Sequence, residues 1–259
     1  MPTHLLTRRR HKPRPALSLM EGIALAHGRA HEACGPARHS FALWLAAAAQ
    51  ETAPGPVLWL APPQGSRQLN PDGIADFASP GRFLFIHAAD TADLLWAMEE
   101  SLRSGAAMLV VAELPEPPAM TPVRRLHLAA EAGGGFGPAP LGLLLTPGEG
   151  GAQGIESRWH LSPAHHLPAG RRPAGSRNCW TLQRLRARTL PPCSWQITGA
   201  AAGAQLTARP AWTGAAPQHS PPEALPLPPH RHTQECEQPA AAIPDRLGPQ
   251  HSKPIRKPA

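Results

Sequence analysis

The stretch Gly35-Pro36-Ala37-Arg38-His39-Ser40-Phe41-Ala42 decides how this chain is read. Before it, Ala30-His31-Glu32-Ala33-Cys34 reads as extended, and after it the apolar run from Phe41 to Ala49 reads as a helix. A strand, a glycine turn and a helix in that order is where many α/β proteins hold phosphates, on the motif G-x-x-x-x-G-K-[ST]. In that motif backbone amides cradle the phosphates, the lysine supplies a point charge and the hydroxyl holds magnesium. Here Gly35 and Pro36 remain, but Ser40 stands for the second glycine, Phe41 for the lysine and Ala42 for the hydroxyl. Phenylalanine offers no charge to a terminal phosphate, and its ring is expected to crowd the loop.

The acids that phosphoryl transfer needs are displaced as well. Val110-Val111 leads into Ala112, and Glu113 comes one residue late, which in a strand means the opposite face. Ala61 is followed by Pro62 where a second acid would stand. With lysine, hydroxyl and acids gone, neither nucleotide hydrolysis nor a nucleotide cofactor is expected. No Ser-His-Asp set, carboxylate pair or reactive thiol replaces them. Cys34 beside Gly35 reads as a small buried apolar residue. His230, His232 and Cys236 lack a fourth ligand, so no metal is expected.

Working outward, Val57-Leu58-Trp59-Leu60, Arg82 to His87, Ala107 to Ala112 and Leu141 to Leu145 are apolar on both faces. Strands of a parallel sheet covered by helices on both sides need that pattern. Between them lie helical patterns. Asp90-Thr91 offers an N-cap, Leu94, Leu95, Met98 and Leu102 follow at helical spacing, and Gly105 ends the segment. Thr121 is expected to cap the next helix, with Pro122 at its first position and Gly133 stopping it. Trp96, Met98 and Leu102 are read as core, as are Trp44 and Trp59. The fold class is α/β with right-handed crossovers.

Composition divides the 259 residues into three zones. Proline accounts for 34 of them, against a usual share of about 5%, which excludes regular packing from end to end. Residues 1–20 are basic and proline-punctuated and read as a loose arm. Residues 21–198 hold six of the seven tryptophans and form the expected core. Residues 199–259, rich in Pro, Ala, Gln and His, bury too little apolar surface to offset their ordering entropy and read as a disordered tail. The longest apolar run is about half of the ~20 residues a membrane span requires. Arg8, Arg9 and Arg10 precede an apolar stretch, but Glu21, His27 and Arg29 interrupt any export signal. Four scattered cysteines without a C-x-x-C pair fit reduced thiols and a cytoplasmic protein.

The losses at the turn, with their spacing, carry a resemblance. From Glu32 through Pro147 the chain resembles the RecA recombinase core with its phosphate loop erased. More closely it is similar to the ImuA family, RecA-related proteins encoded with a mutagenic translesion-synthesis cassette in bacteria. The carrying residues include His31-Glu32-Ala33 with Gly35-Pro36, Val57-Leu58-Trp59, Leu95-Trp96-Ala97-Met98-Glu99-Glu100 and Arg124-Arg125-Leu126-His127-Leu128-Ala129-Ala130-Glu131. Ser157-Arg158-Trp159 and Trp180-Thr181-Leu182-Gln183-Arg184-Leu185-Arg186-Ala187-Arg188 continue it, so that it covers roughly residues 21–198. It implies a RecA-like core with a mainly parallel sheet, a degenerate phosphate loop and a closing C-terminal β-hairpin. Thr189-Leu190-Pro191-Pro192 departs from the glycines the family commonly has there, which puts the hairpin's geometry in question.

Arg184, Arg186 and Arg188 alternate, so in a strand they would share one face and could bind nucleic-acid phosphates or an acidic surface. The alternative is a charged edge strand guarded against aggregation. Arg124 and Arg125 at a helix start oppose the helix dipole and point to an anion or acid nearby, against the alternative of two exposed surface cations. The resemblance implies a non-catalytic accessory protein of SOS-induced error-prone translesion synthesis. Its expected partners are an inactive polymerase-like protein and an error-prone replicative-type polymerase, with the recombinase filament and DNA left open as further contacts. A cell-division inhibitor resembling SulA, binding the tubulin-like division protein, is the alternative.

Overall fold

The computed structural model describes residues 14–62, 69–135, 137–164, 178–199 and 207–210, all within the unit Met1–Ala216. In chain order the strands are β1 (Ala16–Met20), β2 (Ile23–Ala26), β3 (Ala30–Cys34), β4 (Val57–Ala61), β5 (Phe83–His87) and β6 (Leu109–Glu113). They continue as β7 (Leu141–Leu145), β8 (Ser157–Pro163), β9 (Asn178–Ala187), β10 (Cys193–Gly199) and β11 (Thr207–Pro210). The helices are α1 (Arg38–Thr52), α2 (Pro71–Ala75), α3 (Thr91–Ser104) and α4 (Met120–Gly133).

Nine strands form one sheet in the order β11-β10-β9-β8-β3-β7-β6-β4-β5. The six from β8 to β5 run parallel, and β9, β10 and β11 extend them antiparallel. The central sheet is thus mostly parallel and flanked by helices. Alternation of side chains decides which helix each residue meets. Val57, Trp59, Leu109, Val111, Leu141 and Leu143 pack with Phe41, Trp44 and Leu45 of α1. Their neighbours Leu58, Leu60, Val110, Ala112 and Leu144 turn to the other side, against Leu94, Met98 and Leu102 of α3 and Val123 and Leu126 of α4. Each large side chain so buried contributes about 1.5–3 kcal/mol of transfer free energy.

Several boundaries differ from the sequence expectation. The α1 helix starts at Arg38 and runs to Thr52, beyond the apolar run from Phe41 to Ala49. Its apolar residues surround much of its circumference, which requires cover on two sides. The sheet supplies one side; the β1–β2 hairpin supplies the other, with Leu17, Ile23 and Leu25 in the same cluster. Residues 16–20, grouped by composition with the loose arm, are therefore a strand. Likewise β5 begins at Phe83, because Pro80–Arg82 form a 3-10 turn whose Arg82 guanidinium binds the carbonyls of Gln50, Ala53 and Gly55.

The α3 helix has the expected ends: Asp90 accepts from the Asp93 N–H at 2.8 Å, and Gly105 takes the left-handed conformation at φ 65°. The α4 helix does not. It starts at Met120 behind Ala119, no side chain caps it, and Thr121 and Pro122 lie inside its first turn. Proline is tolerated there because first-turn N–H groups have no intrahelical partner. Arg124 and Arg125 consequently sit in the second turn, past the strongest part of the dipole.

Candidate functional site: a closed turn and an open groove

Only Gly35, Pro36 and Ala37 separate β3 from α1. Gly35 adopts φ 86°, and a Cβ there would lie 2.6 Å from the Leu161 carbonyl and 2.7 Å from Nε2 of His160. Its N–H donates to the Gly148 carbonyl at 2.9 Å, and the Ala37 N–H donates to the Leu161 carbonyl at 3.0 Å. Pro36 has no N–H. The Arg38 N–H and its Nη1 both donate back to the Gly35 carbonyl at 3.3 Å. The Gly35 and Ala37 donors thus bind the loop after β7 and strand β8 of the same chain. Ser40 lies within α1, and Phe41 does not crowd the turn as expected. Phe41 is fully buried below it, stacked on Trp159 at 5.8 Å between centroids.

Glu113 and Ala112 face opposite sides of the sheet, as their one-residue offset requires. Ala112 packs towards α3 and α4. Glu113 turns to α1, where it accepts from Trp59 Nε1 at 2.7 Å and pairs with His39 Nε2 at 3.2 Å. Burial pushes its carboxyl pKa up, but the bonds from His39 and Trp59 outweigh this and hold it below the usual carboxylate value. This carboxylate is engaged on both oxygens.

Glu32 was not singled out from the sequence as a functional group, although a lone acid amid the buried run Ala30–Cys34 is itself a signal. Its carboxylate, fully buried, accepts from Thr146 Oγ1 at 2.7 Å, Gly151 N–H at 2.8 Å, Ala152 N–H at 3.1 Å and Arg158 Nε. Arg158 also donates to the Ala152 carbonyl. The cluster fastens the loop after β7 to β3, holding the Gly148 carbonyl that closes the turn. Beside it, His31 Nδ1 lies 2.6 Å from Ser157 Oγ and its Nε2 3.0 Å from the Ala26 carbonyl. Since Trp159 Nε1 donates to Ser157 Oγ, the serine proton goes to Nδ1, and Nε2–H donates to Ala26. Burial of this neutral imidazole lowers its pKa to about 4.

The three arginines near the end of the core do not form a stripe. Arg184 is buried between Trp159 and Trp195, with its guanidinium carbon 5.6 and 5.2 Å from the two rings. Its Nε and Nη2 donate to the Pro191 carbonyl at 3.0 and 2.9 Å, tying β9 to the Pro191-Pro192 turn that leads into β10. Register explains the rest. Arg184 pairs with Trp159 and Arg186 with Arg158, leaving Leu185 as an extra residue in a bulge. Trp159 faces α1 and Arg158 faces the other side with Glu32, so the bulge sends Arg184 and Arg186 to opposite faces. Arg188 lies beyond the strand, exposed, with Nε 3.6 Å from Glu156.

Arg124 and Arg125 are exposed on α4. The acid their position called for is internal: Arg125 Nη2 lies 2.7 Å from Glu99 on α3. Across from them Trp96, expected in the core, is 60% exposed. Leu94, Met98 and Leu102 recur one helical turn apart and face the sheet, and Trp96 lies about 200° round the helix from Leu94. Between the two helices runs a groove of about 230 Å³ lined by Ala92, Leu95, Trp96, Glu99, Pro122 and Arg125.

Among the described residues no cluster of three His, Cys, Asp or Glu could hold a metal ion, and no helix is long and apolar enough to cross a membrane. His230, His232, Cys236 and nearly all of 199–259 lie outside the described residues. No family model matches this chain, and no curated protein matches it.

Proposed function

We propose that this chain is a non-catalytic RecA-like accessory protein of SOS-induced error-prone translesion synthesis, acting by holding other proteins together. The resemblance to the ImuA family motivates the pathway. The mostly parallel sheet, with β7 lying between β3 and β6, is compatible with a RecA-like core. The observation that carries the non-catalytic part is the closed turn. The amides of Gly35 and Ala37 bind Gly148 and Leu161, Pro36 donates nothing, and Phe41 and Ala42 stand where the lysine and hydroxyl would. A P-loop works by leaving those amides open to the phosphates.

Affinity capture from DNA-damaged cells, using the full chain, tests the pathway. Recovery of an inactive polymerase-like protein and an error-prone replicative-type polymerase, independent of added ATP, is the expected result. Recovery of neither would overturn the pathway. ATP hydrolysis by the pure protein, lost in Ser40→Ala, would overturn the non-catalytic reading.

A further inference from the structure

The nine-stranded sheet ends in two edge strands of opposite character. At one end β11 carries an exposed Arg209 and Pro210, residue types that discourage another strand from adding on. At the other end β5 reads Phe83-Leu84-Phe85-Ile86-His87, with no proline, lysine, arginine or acid to guard it. Leu84 is 54% exposed and Phe85 43%. They lie on opposite faces of the sheet. Phe85 stacks on Phe83 at 6.1 Å between centroids, on the side of α1, while Leu84 shares the α3 side with Ile86. An apolar, unguarded edge is a template for a further strand.

The open backbone groups say what covers this edge. The Ala88 N–H donates to the Ala61 carbonyl at 3.3 Å, and a parallel ladder engages every second residue of a strand with a given neighbour. Leu84 and Ile86 therefore turn their N–H and C=O groups to β4, and Phe83, Phe85 and His87 turn theirs to the open side. The Phe83 N–H is taken by the Pro80 carbonyl. The Phe83 carbonyl and both backbone groups of Phe85 and His87 have no partner among the described residues. Donors and acceptors at this spacing fit an extended backbone, whereas a helix has already spent its own.

We infer that β5 pairs antiparallel with β5 of a second copy of this chain, about a two-fold axis beside Phe85, joining the two sheets into one. In that register the strand is complementary to itself. Phe85 exchanges both bonds with Phe85 of the second copy, and each His87 N–H donates to the other copy's Phe83 carbonyl. On one face the two Phe85 rings meet, and on the other each Leu84 lies against Ile86 of the second copy. No like charges oppose each other along the strand. A two-fold contact uses the same edge on both copies, so association stops at two. A pair of five-residue strands covers an area at the low end of specific interfaces, so the dimer is expected to be weak and concentration-dependent. This pairing goes beyond the accessory reading and does not rest on it.

Sedimentation of the full chain between about 1 and about 500 μM is expected to pass from monomer to dimer. Phe85→Lys sets two ammonium groups face to face at the axis and is expected to weaken the dimer about tenfold or more, with Phe85→Glu acting likewise. An equal mixture of the two variants is expected to recover it, because lysine then meets glutamate. Amide hydrogen exchange of the wild type gives a second readout that needs no variant to fold. The Phe85 and His87 amides should gain protection as concentration rises, while those of Leu84 and Ile86, bonded to β4, should not change.

Monomer throughout that range, with the Phe85 and His87 amides unprotected, would overturn the inference. So would a folded Phe85→Lys that dimerises like the wild type, or a mixture of the two folded variants that stays monomeric. Protection of those amides at every concentration would assign the edge to a segment of the same chain, and growth beyond the dimer would mean open strand addition; either result overturns it too. The pairing is measured without nucleotide or partner protein. ATP turnover or an empty affinity capture therefore leaves it standing, and a monomer leaves the accessory reading standing.

Discussion

The turn after β3 and the groove between α3 and α4 are both rich in polar groups, yet they treat them in opposite ways. At the turn, the donors of Gly35 and Ala37, the carboxylates of Glu32 and Glu113 and the His31 ring all bind groups of the same chain. On the outer faces of these two helices, Trp96, Leu128 and Arg124 are exposed without such partners among the described residues. Buried polar groups must be satisfied, so once no ligand fills a strand-end pocket its groups have to find each other or be lost. Groups on an outer helical face are under no such pressure. Among the described residues the two most exposed large apolar side chains, Trp96 and Leu128, lie on these helices.

The largest effect expected from breaking this division is at Glu32. Glu32→Ala leaves Arg158 and two loop amides without their acceptor, and a broken buried ion pair costs about 3–5 kcal/mol. Urea denaturation measures it, and a loss under about 1 kcal/mol would show that the cluster does not hold the loop.

Next comes acidity. The His31 pKa is about 4 in the folded chain, below its ordinary value near 6.5, so the unfolded chain binds the extra proton. The stability it confers is fully present above about pH 6.5 and is lost as pH falls towards 4, an effect on the order of 3 kcal/mol. His27 and His127, also lowered chiefly by burial, act in the same direction. Urea midpoints between pH 4 and 7 should therefore rise with pH, less steeply in His31→Gln. An unchanged slope in that variant would place the titration elsewhere.

Arg184 sharpens the comparison from the basic side. Because it is enclosed by Trp159 and Trp195 and bonded to Pro191, Arg184→Ala is expected to cost about 2 kcal/mol. Arg186→Ala, at an exposed position, should stay within about 0.5 kcal/mol. Equal effects at both positions would restore the shared stripe that alternation suggests.

The reason alternation misled is physical. The bulge at Leu185 comes from pairing with β8, a contact between segments far apart in sequence, and no local pattern records it. The same limit hid the β1–β2 hairpin, whose few apolar residues make sense only once α1 needs cover. By contrast β4, β6 and β7 were legible because strands buried on both faces are apolar throughout, and α3 because Asp90 and Gly105 mark its ends. Trp96 was misread: grouped with Met98 and Leu102 as core, it lies about 200° round α3 from Leu94 and is exposed. Phe41 and Ala42 in the places of the motif's lysine and hydroxyl were plain in the sequence, whereas the use of the Gly35 and Ala37 amides by Gly148 and Leu161 required the fold.

The smallest expected effect is Trp96→Ala on stability, within about 0.5 kcal/mol by thermal melting, since an exposed side chain holds little of the fold together. A large loss would return Trp96 to the core and remove the contrast between the two regions.

An amide NMR titration of the full chain with magnesium-ATP tests the central claim most directly, because it follows the donors of the turn one by one. The N–H resonances of Gly35, Ala37 and Arg38 should stay in place up to millimolar nucleotide, each still bonded within the protein. Saturable shifts of those three resonances would mean that the turn opens to phosphate, and would contradict the account.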